Sequence, residues 1–465
     1  MSGRAVWLGA GVAGALAAGL GGLTWWWWPE PPPTVPDPFV TLRAESAPRP
    51  DAPAGARNLV LVVGCTVRAD QTTPYGGPPT TTPTLMALAQ RGARLEDLVT
   101  AAPWTRPAST AILTGHHAIT VGMADSSPVQ DELRLSDDVT TLAEHLRDHG
   151  WHTVGSTTNP NLNELYGFRQ GFDTWRQLAR LWRQDGTKQP GDDAVRDALA
   201  LLDADGAGRD RPFFLFLVLI DAHAPHDATP KELLEQADGG VPGQVVAYRA
   251  TLRRFDDAVG ALVEGLEQRG FDASDTVIAV ANDHGDGLGW PREAGRSHGR
   301  YLSAPAVGGV LVMTGPGIPA GEVVPGLASQ VDVAPTLASL VGAPGMPTEG
   351  TDLSTAVLGG GATGEERVFA DTWFQDVDRA AVYTAQLACQ HDFGDPEAPH
   401  FPTACFDRAT DAGHARPLPM GDALEELRRW RSERDGAPTL PADEDPEVLK
   451  QLRELGYVDP GPDPG

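Results

Sequence analysis

Residues 58–70, NLVLVVGCTVRAD, join an uninterrupted apolar run to a polar segment that begins at a glycine. The run Asn58–Val63 predicts a strand that is buried on both faces, as in a parallel sheet covered by helices. Similar patterns predict further strands at Phe213–Ile220, Thr276–Ala281 and Val307–Met313, and helices at Thr140–His149 and Gln244–Gln268. Strands that alternate with helices indicate an α/β fold with a mostly parallel sheet.

Polar residues follow three of these predicted strands at the point where each strand ends. Cys65–Asp70 follows the first strand, Asp221–His226 follows the second, and Asn282–Asp286 follows the third. Because ligands bind at the carboxyl ends of parallel strands, we expect the three segments to converge on one site.

Five ordered motifs between residues 58 and 350 resemble the sulfatase family of the alkaline phosphatase superfamily. They are VVGCTVRADQTTPYG from Val62, PWTRPASTAILTG from Pro103, IDAHAPH from Ile220, VANDHGDGLG from Val280 and SHGRYLSAPAVGGVLVMTGPG from Ser297. The resemblance implies an alkaline-phosphatase-like three-layer sandwich and hydrolysis or transfer of sulfuric or phosphoric esters. The segment Arg367–Asp407 lacks an obvious match to the family and predicts strands of a small C-terminal antiparallel subdomain.

The resemblance implies one divalent metal cation. Asp283 and His284 stand where the family has metal ligands, and Cys65 stands where it has a metal-binding carboxylate. Oxygen and imidazole donors suit Ca²⁺, Mg²⁺, Mn²⁺ or Zn²⁺, whereas a thiolate at residue 65 favours softer ions such as Zn²⁺. The alternative is that Cys65 is a buried thiol and that the metal site is weak or lost.

Thr105 occupies the family's nucleophile position, just before a predicted helix. Threonine cannot be oxidised to formylglycine as cysteine or serine can, so formylglycine is not expected. The same element places Arg106 and Ser109 as substrate-binding candidates, and Ser109 stands where the family has an arginine. Downstream motifs place His223 and His298 where the family contacts the substrate or protonates its leaving group.

Two hypotheses of function follow. The first is an enzyme in which Thr105 attacks a small-molecule, glycan or lipid sulfate or phosphate ester. The second is a catalytically degenerate sulfatase fold that serves as an extracytoplasmic binding or scaffold protein. Cys65 and Ser109 favour the second hypothesis, and the remaining site residues favour the first.

Charge and cysteine content exclude some classes of partner and stabilisation. With 63 acidic and 36 basic residues, the formal net charge is -27, so nucleic acid is not an expected partner. The three cysteines, Cys65, Cys389 and Cys405, are too few for a disulfide framework. Cys389 and Cys405 either pair in an oxidising compartment or remain as two free thiols.

The N-terminal segment predicts membrane attachment. Ala5–Trp28 carries no charge and is long enough to cross a hydrocarbon core of roughly 30 Å as a helix. Arg4 favours a cytoplasmic N-terminus, which places the large domain outside the cytoplasm, in the periplasm or at the cell surface. The alternative is a cleaved signal peptide and a secreted protein. The expected organisation is anchor 1–28, proline-rich linker 29–56, catalytic domain 57–362 and C-terminal subdomain 363–465.

Overall fold

The computed structural model describes residues 39–45, 48–124, 133–178, 188–237, 239–288, 298–395, 399, 401–434, 437–443 and 445–455. Residues Phe39–Gly465 form one compact unit. The predicted anchor or signal peptide lies outside the described residues. Within the described ranges, no helix is long and apolar enough to span a membrane.

Fifteen strands are present in the described part of the chain. They are β1 (Phe39–Arg43), β2 (Asn58–Gly64), β3 (Ala93–Val99), β4 (Leu133–Arg134), β5 (His152–Thr157), β6 (Thr174–Leu178), β7 (Phe213–Leu219), β8 (Thr276–Asn282), β9 (Leu311–Thr314), β10 (Glu322–Ser329), β11 (Val368–Phe374), β12 (Val377–Tyr383), β13 (Leu387–Asp392), β14 (Ala404–Asp407) and β15 (Leu440–Pro441). Nine of them form the main sheet in the order β1-β6-β5-β7-β2-β8-β9-β3-β10.

The centre of this sheet is parallel and fully covered. Strands β6, β5, β7, β2 and β8 pair in parallel, and every residue of β2, β7 and β8 is buried. A strand that is buried on both faces requires a layer on each face, which is why these strands are apolar runs without alternation. The predicted strands at residues 58, 213 and 276 are confirmed.

Ten α-helices accompany the strands in the described ranges. They are α1 (Pro83–Arg91), α2 (Thr105–Thr114), α3 (Leu142–Asp148), α4 (Gly191–Asp205), α5 (Pro230–Gln236), α6 (Gly243–Glu267), α7 (Ala304–Val307), α8 (Val333–Leu340), α9 (Ala423–Ser432) and α10 (Pro446–Glu454). Helices α1, α4, α5 and α6 pack together, and α2, α3 and α8 form a second group. Both helices predicted from the sequence, α3 and α6, are present.

The predicted strand Val307–Met313 is partly wrong. Its first residue ends the short helix α7, which follows Ser303 and has Pro305 in its first turn. Gly308 and Gly309 then separate this helix from β9, which begins only at Leu311 and pairs antiparallel with β8 and β3. The apolar run therefore mixes a proline-initiated helical turn with a short strand, and composition alone does not separate the two.

The predicted linker 29–56 also needs correction, because part of it belongs to the main sheet. Phe39–Arg43 forms β1 and pairs antiparallel with β6 at the sheet edge. Phe39 is buried beneath the guanidinium of Arg176, and Arg43 donates to Asp205. An edge strand pairs with the sheet on one side only, and in β1 only Phe39 is buried. Because the neighbouring sequence is rich in proline, composition predicts a linker here and not a strand.

The C-terminal sheet has the predicted antiparallel character, in the order β11-β12-β13-β14. Cys389 of β13 lies directly opposite Cys405 of β14, and the two form a disulfide. The sequence left this pairing open because nothing in the spacing of the two cysteines fixes the register of their strands. Cys65 takes no part in this disulfide and is buried.

Replacing both Cys389 and Cys405 by serine is expected to lower the free energy of unfolding by about 3 kcal/mol, because the disulfide closes a loop. The two cysteines are 16 residues apart, which sets the size of that loop. Urea unfolding with and without reductant measures the loss. Reductant should destabilise the wild type and leave the double variant unchanged; equal reductant sensitivity in both proteins would count against a stabilising disulfide.

Candidate active site

The site lies where β2, β5, β7 and β8 end. The polar segments after β2, β7 and β8 converge there as expected, and residues after β5 join them. Cys65, His223, Asp283 and His284 are buried, so their polar atoms interact at short range with little competition from water. Helix α2 brings Thr105 to the same point.

Thr105 is the first residue of α2 and is fully buried. Its Oγ1 lies 3.3 Å from His284 Nε2 and 3.5 Å from Cys65 Sγ. No side chain caps the N-terminus of α2, whose backbone N–H groups and dipole favour negative charge beside Thr105. An oxyanion that forms at or near this hydroxyl would be stabilised by its position on the helix.

Asp283 and His284 are held in place by backbone groups. Asp283 Oδ1 accepts hydrogen bonds from Thr66 N at 3.0 Å and from His284 N at 2.6 Å. His284 Nδ1 lies 2.7 Å from Gly285 O, and because a carbonyl only accepts, Nδ1 carries the proton. The lone pair of Nε2 therefore faces Thr105 and Asp283. Thr66 has a φ of 58°, rare for a β-branched residue, so local strain accompanies this arrangement.

Three donors at this point suit a divalent cation. Cys65 Sγ, a carboxylate oxygen of Asp283 and a ring nitrogen of His284 lie within 4.8 Å of one another. Asp283 Oδ2 has no hydrogen-bond partner among the described residues, although it is fully buried. A buried carboxylate oxygen without a donor is costly, and a cation would offset that cost. The residues present therefore fit the metal that the sequence resemblance implies.

His223 and His298 form a second part of the site. Their rings meet edge to face with centroids 5.0 Å apart, and His298 stacks on His284 at the same distance. Asp286 Oδ2 lies 4.0 Å from His298 Nδ1, close enough for an ion pair when that ring is protonated. Burial, and next the charge of Lys188, lower the pKa of His223 to about 3, so its ring is neutral near pH 7.

Arg106 and Ser109, the two substrate-binding candidates on α2, are both buried. The guanidinium of Arg106 lies over the ring of Tyr166, 4.0 Å from its centroid, and its Nη2 donates to Asn161 Oδ1 at 3.5 Å. Ser109 is one helical turn beyond Thr105, and its Oγ has no hydrogen-bond partner in the described part of the chain. Among the described residues, Ser109 therefore makes no side-chain hydrogen bond that could take the place of those of the arginine that the family has at this position.

Asn159 is a site residue that the sequence reasoning missed. Its Oδ1 accepts from Asn161 N at 2.9 Å, which caps the short turn Pro160–Leu162. The cap orients the amide, so Nδ2 faces the site and donates to Cys65 Sγ at 3.3 Å and to Thr105 Oγ1 at 3.4 Å. The signal was the same as for the other segments, a polar residue just after a buried strand, but β5 was not predicted.

Lys188 was also missed. Its Nζ donates to the carbonyl oxygens of Ile220 and Asp221 at 3.3 and 3.1 Å and to that of His223. Burial lowers the pKa of Lys188 to about 8, and the carboxylates of Asp221 and Asp227 oppose this effect. Lys188 therefore fixes the backbone of the segment that carries His223.

Solved structures share this architecture. Ps i-CgsB in complex with k-i-k-neocarrahexaose superposes with a TM-score of 0.67 and 18% identity, covering 86% of this chain and 97% of that chain. The phosphonate monoester hydrolase of Agrobacterium radiobacter superposes with a TM-score of 0.65 and 16% identity, covering 86% of this chain and 95% of that chain. At these identities the likeness concerns the fold, an α/β fold with a mixed, mostly parallel sheet and a small antiparallel sheet.

Comparison of sequences gives the family. Arylsulfatase A of Homo sapiens is 27% identical over 457 residues, which cover 86% of this chain and 86% of that protein. The family model described as Sulfatase matches residues 57–343. Because that match spans more than half of the chain, the protein belongs to the sulfatase family.

Proposed function

We propose that this protein hydrolyses or transfers sulfuric or phosphoric esters with Thr105 as its nucleophile. The observation that carries the proposal is the position of Thr105 Oγ1, which starts a buried helix and lies within 3.5 Å of both His284 and Cys65. A hydroxyl so placed has the partners that an attacking oxygen needs. The likeness to a phosphonate monoester hydrolase supports including phosphorus esters.

The reaction would proceed in two displacements. Thr105 Oγ1 gives its proton to solvent and forms a bond to the sulfur or phosphorus, and the bond from that atom to the substrate's alcohol oxygen breaks. The leaving oxygen takes a proton from His298, whose charged form Asp286 would stabilise. Water or a second alcohol then gives its proton to the neutral His298, bonds to the sulfur or phosphorus and displaces Thr105, whose oxygen regains a proton from solvent.

Cys65, Asp283 and His284 would hold a divalent cation beside Thr105. Such a cation, when bound, neutralises ester oxygens and favours loss of the Thr105 proton. We propose that Zn²⁺ is preferred over Mg²⁺ and Ca²⁺, because one ligand is a thiol sulfur and another an imidazole nitrogen. The backbone donors to Asp283 Oδ1 leave Oδ2 as the oxygen that points at the ion.

Assays of the domain from residue 39 onward test the proposed function. Aryl sulfate, aryl phosphate monoester and aryl phosphodiester substrates are each tested with Zn²⁺, Mn²⁺, Mg²⁺ and Ca²⁺ and after chelation. Turnover of at least one ester class that chelation removes and metal restores is the expected result. No turnover of any ester under any metal would sink the proposal and leave the degenerate binding or scaffold fold, in which Cys65 and Ser109 mark lost functions.

Replacing Asn159 by alanine is expected to lower kcat/KM roughly tenfold to a hundredfold, because Thr105 loses a polar donor in a water-excluded site. Asn163→Ala is the matched control, since Asn163 caps the next short turn by accepting a hydrogen bond from Leu165 N. Asn159→Asp keeps the capping oxygen and removes the donor. If Asn159→Ala and Asn163→Ala lose the same activity, and Asn159→Asp loses none, then Asn159 acts only as a cap.

We also propose that the N-terminal segment attaches the protein to a membrane and that the sulfatase domain lies outside the cytoplasm. The Cys389–Cys405 disulfide supports this location, because disulfides persist in oxidising compartments. Protease added to intact spheroplasts should digest the domain, and sequencing the mature N-terminus distinguishes an anchor from a cleaved signal. Protection from protease together with free thiols at both cysteines would contradict the proposal.

A further inference from the structure

A second cavity of about 490 Å³ opens beside the site. Its walls come from the segment before α4, the loop after β7, and helices α5 and α6. The lining residues are Lys188, Gln189, Pro190, Asp192, Asp221, Asp227, Thr229, Glu232, Arg254 and Asp257. Five carboxylates thus face two cationic side chains, so this cavity repels a sulfate or phosphate group and attracts a cation.

The two cations of the cavity wall are already engaged. Arg254 forms ion pairs with Asp227 at 2.8 Å and with Glu232 at 2.5 Å. Lys188 directs its Nζ to three backbone carbonyl oxygens, so it gives no hydrogen bond to a cavity carboxylate. Asp257 pairs with Arg253 at 2.8 Å, so Asp221 and Asp192 are the two lining carboxylates without an arginine partner among the described residues.

Asp221 has an unused oxygen in this cavity. The residue is 7% exposed, and its Oδ1 accepts from Gly191 N at 2.9 Å. Its Oδ2 has no hydrogen-bond partner among the described residues. Burial raises the pKa of the Asp221 carboxyl, the hydrogen bond from Gly191 N and the charge of Lys188 lower it, and the nearby carboxylate of Asp192 raises it; a bound cation would further stabilise the charged form. The absence of a side chain at Gly191 provides space for Asp221 Oδ2, since a Cβ at residue 191 would lie 2.5 Å from that oxygen.

The ligand that fits is an organic ammonium group and not a second metal ion. Within the described residues, the carboxylates of this cavity do not come together as a ligand group; the only such group is Cys65, Asp283 and His284. Carboxylates spread around a cavity of this volume suit a larger cation with several N–H donors or a methylated surface.

The cavity adjoins the active site through a single segment. Asp221 faces the cavity, and His223, two residues later, belongs to the histidine pair, so their Cα atoms are at most about 7 Å apart. Lys188 fixes the backbone between them. The cavity is therefore next to the histidine pair, where the proposed reaction places the alcohol oxygen of the ester.

We propose that this cavity is a subsite for an ammonium group on the alcohol portion of the ester. The inference rests on the proposed function and names its substrate class, esters of amino alcohols or amino sugars. Asp221 is the specificity-determining residue, and Asp192 adds to the field at the cavity mouth.

Matched pairs of esters test the subsite. 2-Aminoethyl, 4-aminobutyl and 6-aminohexyl sulfates are compared with n-propyl, n-pentyl and n-heptyl sulfates, in which a methyl group replaces the ammonium. We expect the wild type to prefer the ammonium member by about tenfold in kcat/KM at one tether length, as for a hydrogen bond to a charged group. Asp221→Asn should remove most of this preference, and the exposed Asp192→Asn should reduce it about twofold.

Controls separate this inference from the proposed function. Asp210→Asn removes an exposed charge that does not line the cavity and should keep the wild-type preference. Turnover without any ammonium preference, or a preference that survives Asp221→Asn, overturns the subsite and leaves the function standing. If no ester is turned over, calorimetric titration of the same sulfates decides: tighter binding of the ammonium members that Asp221→Asn removes supports the subsite, and equal binding overturns it.

Discussion

Thr105→Ala is expected to reduce kcat for the best ester substrate by at least about 10³-fold, which corresponds to roughly 4 kcal/mol of transition-state stabilisation. The reason is that alanine removes the atom that would bond to the sulfur or phosphorus. Cys65 and His284, which lie within 3.5 Å of Thr105 Oγ1, would remain in place. The variant would therefore still bind the ester but would have no nucleophile to attack it. Steady-state kinetics on the purified variant measure the loss.

Two controls distinguish the loss of the nucleophile from a loss of metal or of folding. Thr105→Ser keeps the hydroxyl on the first turn of α2 and should retain turnover within about tenfold of the wild type. Metal content and unfolding midpoint of Thr105→Ala should match the wild type, since the side chain is small and lies at the helix start. Near-normal turnover by the alanine variant would show that water, and not Thr105, attacks the ester.

The central strands and the convergence of their polar ends were predictable because burial on both faces leaves a strong local pattern. Residues 59–64 and Phe213–Leu219 are apolar throughout, and the residues that follow them must reach the same sheet edge. The family resemblance named Cys65 and His284, and the strand-end pattern placed their segments together. The order of the strands in the sheet was the only further information needed to bring these residues together.

The missed features depend on contacts that no local pattern records. Strand β5 contains His152, Thr153, Gly155, Ser156 and Thr157, so its polarity hid both the strand and the site residue Asn159 that follows it. The strand is polar because several of these side chains pair with neighbouring elements, as Thr153 does with Asp173. Lys188 and the acidic cavity likewise join segments that are more than thirty residues apart.

Cys65→Asp is expected to reverse the metal preference of the site. The wild type should bind Zn²⁺ more tightly than Mg²⁺ or Ca²⁺, because its ligand group combines Cys65 Sγ with a carboxylate and an imidazole. Aspartate replaces the sulfur by a hard oxygen donor, so Mg²⁺ and Ca²⁺ affinity should rise and Zn²⁺ affinity should fall, each by at least about tenfold. Calorimetric titration with each ion measures both changes without any assay of turnover.

A spectroscopic readout links the preference to the sulfur atom itself. Co²⁺ bound to the wild type should give a thiolate-to-metal charge-transfer band, which both Cys65→Asp and Cys65→Ser should lack. Cys65→Ser, a near-isosteric and neutral control, should bind Zn²⁺ more weakly without gaining Mg²⁺ or Ca²⁺ to the extent that Cys65→Asp does. Wild-type protein that binds Co²⁺ without the band, or binds no ion while Cys65→Asp binds Ca²⁺, would mean that Cys65 is a buried thiol that does not ligate a metal. The short contacts of Cys65 Sγ with Thr105 and Asn159 favour the ligand role, because they turn the sulfur toward the other donors.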